Sequence, residues 1–271
     1  SDVCSSDLIA ANYYDRSSAL SVLMGNGDGT FGSVSNIGRG IGPIALGISD
    51  LNADGRLDLV VASGRRDFVS IYLGNGDGTF ATQTDMGVGI QPTALELVDL
   101  NADGSPDLVV AGQHRAVNIF LGNSDGTFSR RDAVAVGIYP NAVAVADLDL
   151  DGRLDLAVPN EESNTVSVAA GIGDGTFQAV TNLDSGDVPS SVAIADLNAD
   201  GKPDLVVANF GSNTVSVRLN ETPTAPLRAS LSVALASNPI KGGLTLALTL
   251  PSAERADVEV VAHPVLWTPG G

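Results

Sequence analysis

Two short motifs recur down this chain with the same step, and no other feature limits its fold as much. The segment Asp50-Leu-Asn-Ala-Asp-Gly-Arg-Leu-Asp58 returns as Asp99-Leu-Asn-Ala-Asp-Gly-Ser-Pro-Asp107, Asp147-Leu-Asp-Leu-Asp-Gly-Arg-Leu-Asp155 and Asp196-Leu-Asn-Ala-Asp-Gly-Lys-Pro-Asp204, with starts 49, 48 and 49 residues apart. Interleaved with it, Gly25-Asn-Gly-Asp-Gly-Thr-Phe31 returns at 74–80, at 122–128 with Ser124, and at 171–177 with Ile172. Two markers sharing one period make the chain an array of units that bury their apolar faces against one another.

Each unit reads as four strands. Before the acidic segment, large residues alternate with small ones, as in Leu46/Ile48, Leu95/Leu97, Val143/Val145 and Val192/Ile194, the period of a strand. After it comes Leu-Val-Val-Ala (59–62, 108–111, 205–208) or Leu-Ala-Val-Pro (156–159), apolar on both sides like an inner strand. A third strand such as Val69–Leu73 or Val215–Leu219 follows a variable loop, and the Gly-Asn-Gly-Asp-Gly-Thr-Phe turn leads into a weaker fourth. The reading is an all-β propeller built of four-stranded blades of about 49 residues. Helical repeats are excluded by the period-2, β-branched segments, and a parallel β-helix would need a shorter coil. The 31 glycines and 4% aromatic content agree with a turn-rich β protein.

The acidic segment has the pattern of a cation site. Oxygen-bearing side chains stand at positions 1, 3, 5 and 9 of each loop, and glycine stands at 6. The first set is Asp50, Asn52, Asp54 and Asp58; the others are Asp99, Asn101, Asp103 and Asp107; Asp147, Asp149, Asp151 and Asp155; and Asp196, Asn198, Asp200 and Asp204. A curled backbone aims such oxygens at one centre, and glycine permits the bend. Position 7 (Arg56, Ser105, Arg153, Lys202) would offer its main-chain carbonyl, which leaves its side chain free to vary. Hard oxygen donors in loose geometry suit Ca²⁺ better than Mg²⁺, and no His or Cys in the loops invites zinc. An EF-hand would carry an acid at position 12 and a following helix; here position 12 is Val61, Val110, Val158 or Val207, within a strand. Without a cation, thirteen carboxylates in four loops would repel one another. The expectation is one Ca²⁺ per loop, four in all.

The glycine-rich turn lacks the lysine and the helix of a phosphate cradle. Its Asn-Gly and Asp-Gly steps supply hairpin turns, and the phenylalanine after it is expected to pack between blades. A net charge of −18 repels nucleic acid and anionic lipid, and no apolar run is long enough to span a bilayer. The chain is therefore read as binding neither nucleic acid nor membrane.

With Asp-x-Asn-x-Asp-Gly-x-x-Asp-Leu-x-Val after a small/apolar strand, and the Gly-Asn-Gly-Asp-Gly-Thr-Phe hairpin, residues 7–220 resemble FG-GAP repeats. These are the units of the integrin α-subunit N-terminal β-propeller, and the closest likeness is to the bacterial VCBS type. The resemblance implies calcium at each loop, an extracellular or cell-surface setting and a ring of seven blades, of which about four and a half are present.

The flanks differ from the array. Residues 1–6, with Cys4 where glycine belongs, read as a truncated or foreign head. Residues 221–228 read as a proline-rich linker, and 229–271 as an incomplete Ig-like or sorting-domain-like β segment. Strand parity puts the acidic loops and Gly-Asp-Gly turns on one face of the disc and the variable loops on the other. The variable face gathers Tyr13, Tyr14, Arg16, Arg39, Arg65, Arg66, His114, Arg115, Tyr139 and Phe210, on the kind of loops that carry binding. Tyr14, Arg16, Arg65, Arg66, His114, Arg115 and Tyr139 are the candidate contacts to a protein or glycan ligand. Glu96, whose counterparts are Gly47, Ala144 and Ala193, is expected to face the central channel. Two distant histidines, His114 and His263, and no nucleophile motif argue against an enzyme. The chain reads as a secreted binding or adhesion module; the alternatives are a non-catalytic accessory propeller of a polysaccharide-degrading or other hydrolytic enzyme, and a spacer presenting a C-terminal domain.

Overall fold

The computed structural model describes residues 7–13, 20–38 and 42–221. The chain divides into two units, Ser1–Pro223 and Thr224–Gly271. The head 1–6, the linker after Glu221 and the 229–271 segment lie outside the described residues, as do Tyr14, Arg16, Arg39 and His263.

The strands follow the repeat. The first blade holds β1 (Leu8–Ala11), β2 (Leu20–Leu23) and β3 (Ser35–Ile37); the second holds β4 (Pro43–Ser49), β5 (Asp58–Ser63), β6 (Phe68–Tyr72) and β7 (Thr84–Gly87). The third holds β8 (Pro92–Val98), β9 (Asp107–Gly112), β10 (Ala116–Gly122) and β11 (Phe128–Arg130), with β12 (Val134–Ala135) also paired to β10. The fourth holds β13 (Ala144–Ala146), β14 (Asp155–Asn160), β15 (Thr165–Ala169) and β16 (Thr181–Asp184), and the last holds β17 (Pro189–Ala195), β18 (Asp204–Asn209) and β19 (Thr214–Arg218). Neighbours pair antiparallel in chain order within each sheet, so each blade is a meander. The sheets form part of a propeller ring and leave it open. Among the described residues no helix is long and apolar enough to cross a membrane.

The inner strands β4, β8 and β17 each begin at a proline, where the register slips by a bulge before regular pairing starts. Proline lacks a donor for the ladder, so it stands where the ladder is already interrupted.

The core lies between blades rather than within one. Every residue of β5, β9 and β14 is buried, and alternate residues along them face opposite neighbours. Val60, Ala62, Val69 and Ile71 on the front of the second blade pack against Leu108, Val110 and Phe120 on the back of the third. Val109, Ala111, Val117 and Ile119 repeat the pattern against Leu156, Val158 and Ala169. Ala157 and Val166 repeat it against Leu205 and Val207. Each buried aliphatic side chain contributes about 1.5–3 kcal/mol, so the stacking of blades holds the array together. Phe80, Phe128 and Phe177 sit in these junctions as expected; Phe31, on the back of the first blade, is exposed.

Candidate metal centres

Each acidic loop is held by its own carboxylates. Asp50 Oδ1 accepts from the Asp54 N–H (3.2 Å) and Oδ2 from the Gly55 N–H (2.8 Å), while Asn52 Oδ1 also accepts from Asp54 (3.1 Å) and Asp54 Oδ1 from Arg56 (2.9 Å). Asp99, Asp147 and Asp196 make the same pair of bonds in their loops. The glycine at position 6 has φ of 82°, 88°, 87° and 81° in Gly55, Gly104, Gly152 and Gly201, and a Cβ there would meet nothing within 4 Å. Backbone conformation alone therefore selects it. Position 4 is left-handed as well, at Ala53, Ala102, Leu150 and Ala199, with φ between 56° and 61°. No residue type in the sequence signals that bend, which costs roughly 1 kcal/mol per residue.

The position-9 aspartate does more than close the loop. Asp107 is buried, and its oxygens accept from Leu100 N–H (2.8 Å) and Gly122 N–H (2.8 Å). Asp58 joins Leu51 to Gly74, Asp155 joins Leu148 to Gly171, and Asp204 joins Leu197 to Asn220. For Asp58, Asp107 and Asp155 one carboxylate thus clamps the acidic loop to the start of the glycine-rich turn, which places both on one face as strand parity requires. Each oxygen keeps a second lone pair for a cation. Burial raises the pKa of Asp107 and of Asp155, against the lowering effect of their backbone donors. Asp204 is as hidden from solvent but surrounded by less protein, and there the Asn220 and Leu197 N–H groups win and hold its carboxyl below the usual range.

The third loop is the most concentrated. One carboxylate oxygen each from Asp147, Asp149 and Asp151 lies within 4.8 Å of the others, all hard donors around one point, as Ca²⁺ needs. In the other loops an asparagine stands at position 3, and Asn52, Asn101 and Asn198 donate Nδ2 to the position-5 carboxylate at 3.1, 2.8 and 3.2 Å. Those loops hold one negative charge fewer. The Ser105 N–H, first among its donors, keeps Asp103 ionised below the ordinary carboxylate range.

Position 7 is less free than its variety suggested. Ser105 Oγ hydrogen-bonds Ser124 Oγ at 2.5 Å, whereas a Cβ on Gly76 would lie 3.3 Å from Arg56 Cδ and one on Gly173 equally close to Arg153 Cδ. The position-7 side chain therefore lies across the glycine-rich turn, and that explains why Ser105 accompanies Ser124 while arginine accompanies glycine. The pairing is readable in the sequence. Arg153 Nη1 also reaches Asp151 Oδ2 at 3.3 Å, in solvent, where such a pair is worth little.

The glycine-rich turns are self-contained. Asp28, Asp77, Asp125 and Asp174 each accept from the hydroxyl and the N–H of the threonine two residues on, and those bonds lower their pKa values. Their acceptor capacity serves the turn.

On the opposite face the candidate contacts are spread over separate loops. Arg65 stacks over the Tyr13 ring at 5.1 Å, and Gln113 Nε2 donates to Tyr139 Oη at 3.1 Å, joining the third and fourth blades. Arg66, His114 and Arg115 are exposed. The half-buried Glu96 carboxylate accepts from the Val145 N–H of β13, across the junction to the fourth blade, and burial raises its pKa.

The FG-GAP-like repeat model matches residues 4–61, 50–110, 99–158 and 147–207. Among solved structures, the chain is similar to a putative 6-phosphogluconolactonase of Bacteroides fragilis (20% identity, TM-score 0.59, covering 78% of this chain and 62% of that one). It is also similar to a putative 6-phosphogluconolactonase of Bacteroides uniformis (18%, 0.58, 79% and 64%). A third is an Agrocybe aegerita lectin that recognises non-reducing terminal N-acetylglucosamine (23%, 0.51, 75% and 61%). The chain thus spans less than two thirds of the length of these structures, and at such identity the likeness concerns the fold. No curated protein matches the chain.

Proposed function

Because the chain belongs to the FG-GAP-like repeat family, we propose that it is a calcium-stabilised, extracellular binding or adhesion module that acts without catalysing a reaction. The observation that carries the reading is the convergence of Asp147, Asp149 and Asp151 in a loop whose backbone design recurs in three other blades. Asp147, Asp149, Asp151 and the remaining lone pairs of Asp155 would hold the ion there, with the Arg153 carbonyl as a further donor. Calcium would supply charge neutralisation and rigidity, not chemistry. Extracellular modules of this kind bind at about 10⁻⁴–10⁻³ M. Ligand charge sets affinity, so the 147–155 loop should bind first and the asparagine-bearing loops later.

Isothermal titration with CaCl₂ tests this reading. Four ions per chain are expected, with the tightest class lost on Asp149→Asn, and a melting temperature that falls in chelator. Identical melting curves in chelator and in millimolar calcium would refute it. The ligand is proposed to be a protein or an acidic glycan held on the variable-loop face, since Arg65, Arg66, Arg115 and Tyr139 offer paired charge and ring surface. Screening the calcium-loaded chain on glycan and matrix-protein arrays, with Arg65→Ala and Arg115→Ala as controls, checks that assignment.

A further inference from the structure

The leucine at position 2 of an acidic loop reaches beyond its own blade. Leu148, between Asp147 and Asp149, is buried with Leu205 and Val207 at the junction of the fourth and last blades. Its N–H donates to Asp155 Oδ2 at 2.7 Å within the blade, and its carbonyl accepts from Asn220 Nδ2 at 2.6 Å across the junction. Leu51, between Asp50 and Asn52, repeats the arrangement. It is buried against the third blade, its N–H donates to Asp58 Oδ2 at 2.9 Å, and its carbonyl accepts at 3.0 Å from the Gly126 N–H in the glycine-rich turn of that blade. Leu100 keeps the bond inside its blade, to Asp107, but among the described residues no backbone donor of the fourth blade bonds its carbonyl.

Asn220 is a departure within the repeat. It stands where the other blades carry Gly25, Gly74, Gly122 and Gly171, and its N–H donates to Asp204 Oδ1 as theirs do to Asp7, Asp58, Asp107 and Asp155. Glycine offers that backbone bond alone. Asparagine adds a side-chain donor, which reaches Leu148 O in the fourth blade and, at 3.2 Å, Pro203 O in its own. The two planar peptide groups on either side of Leu148 are therefore fixed, one by its own blade and one by the next. Asp147 borders the first plane and Asp149 the second, so two blades together set the spacing of these two carboxylates. On the proposal that these loops hold calcium, we infer that Asn220 is a positioning residue for the calcium site of the preceding blade, holding the 147–155 loop in its ion-binding shape. Gly126 does the same for the 50–58 loop through its backbone. The coupling is reciprocal: an ion in the 147–155 loop strengthens the bond from Asn220, and so fastens blade to blade as well as closing its own loop.

The test is calcium titration of the full chain carrying Asn220→Ala, or Asn220→Leu, which keeps the bulk of the side chain without its donor. Both leave the backbone bond to Asp204 in place, and circular dichroism in saturating calcium confirms that each variant keeps its fold. The tightest calcium class, assigned to the 147–155 loop, should weaken about threefold to tenfold, the size of one hydrogen bond, and alike in the two variants. The rise in melting temperature on adding calcium should be smaller than in the parent chain. A chain that takes up no calcium sinks the calcium reading, and the positioning role with it. Calcium uptake with the tightest class unmoved in both variants overturns the positioning role alone, as does a shift confined to a weaker class, which would mean that Asn220 serves its own loop through Pro203. A melting temperature lowered equally in chelator and in calcium would likewise assign Asn220 a purely structural part.

Discussion

The third blade and the last share one acidic loop and one Leu-Val-Val-Ala strand but live in different surroundings. β10 and β19 carry matching Val-x-Ile/Val cores and pair with β9 and β18 in the same register. Yet Val117 and Ile119 are fully buried while Val215 and Val217 are open. Asp107 and Asp204 accept the same two backbone bonds, and their pKa values move in opposite directions. The hydrogen-bonded skeleton of a blade is thus set locally, by turns, caps and clamps. The energy that makes it persist comes from its neighbour.

Substitutions at matched positions can break this comparison. Asp107→Ala would strand the Leu100 and Gly122 N–H groups in a buried site, a loss of about 2–5 kcal/mol by urea unfolding. Asp204→Ala should cost a small fraction of that, because Leu197 is exposed and water can replace the acceptor. Equal losses would show that the clamp acts independently of packing. Ile119→Ala should similarly cost about 2–5 kcal/mol, while Val217→Ala at low protein concentration should stay within about 0.5 kcal/mol.

Two further changes sharpen the contrast. Gly104→Ala and Gly201→Ala should each cost about 1–2 kcal/mol, alike in both blades because the demand is conformational. A twofold difference in their urea midpoint shifts would imply that packing contributes. The smallest effect concerns Glu96. Its folded pKa is raised, so the native state binds more protons than the unfolded chain between 4.5 and that higher value, and stability falls as pH rises through this window. Glu96→Gln keeps an acceptor for Val145 without the buried charge. It should therefore melt higher than the parent at neutral pH, with the gap closing on acidification below 4.5. A constant gap would mean the charge is not at issue.

Much of this was legible in the residues. Period, strand order, the face shared by acidic loops and turns, and the junction phenylalanines follow from spacing alone. What escaped is instructive. The left-handed backbone at Ala53, Ala102, Leu150 and Ala199 leaves no trace because alanine and leucine carry no preference for it. The role of Asp58, Asp107, Asp155 and Asp204 as clamps was hidden because a ligand-like position and a backbone acceptor call for the same side chain. The bond from Val145 to Glu96 escaped because it depends on where the neighbouring β13 lies. The Ser105–Ser124 pairing, by contrast, was visible as a joint departure from the Arg–Gly pattern and needed only a reason to be sought.

The clamps also make each blade asymmetric under load. The rim that carries the acidic loops is fastened across strands by an aspartate carboxylate at every blade, while the opposite rim is held by the weaker bonds of neutral groups, such as Gln113 to Tyr139, Asn160 to Thr165 and Asn209 to Thr214. A sheet riveted along one border peels from the other. Amide exchange should therefore run fastest around Arg65, His114 and Glu162 and slowest at Gly74, Gly122 and Gly171. A tether pulling on this molecule would feel a stiff floor beneath a yielding roof.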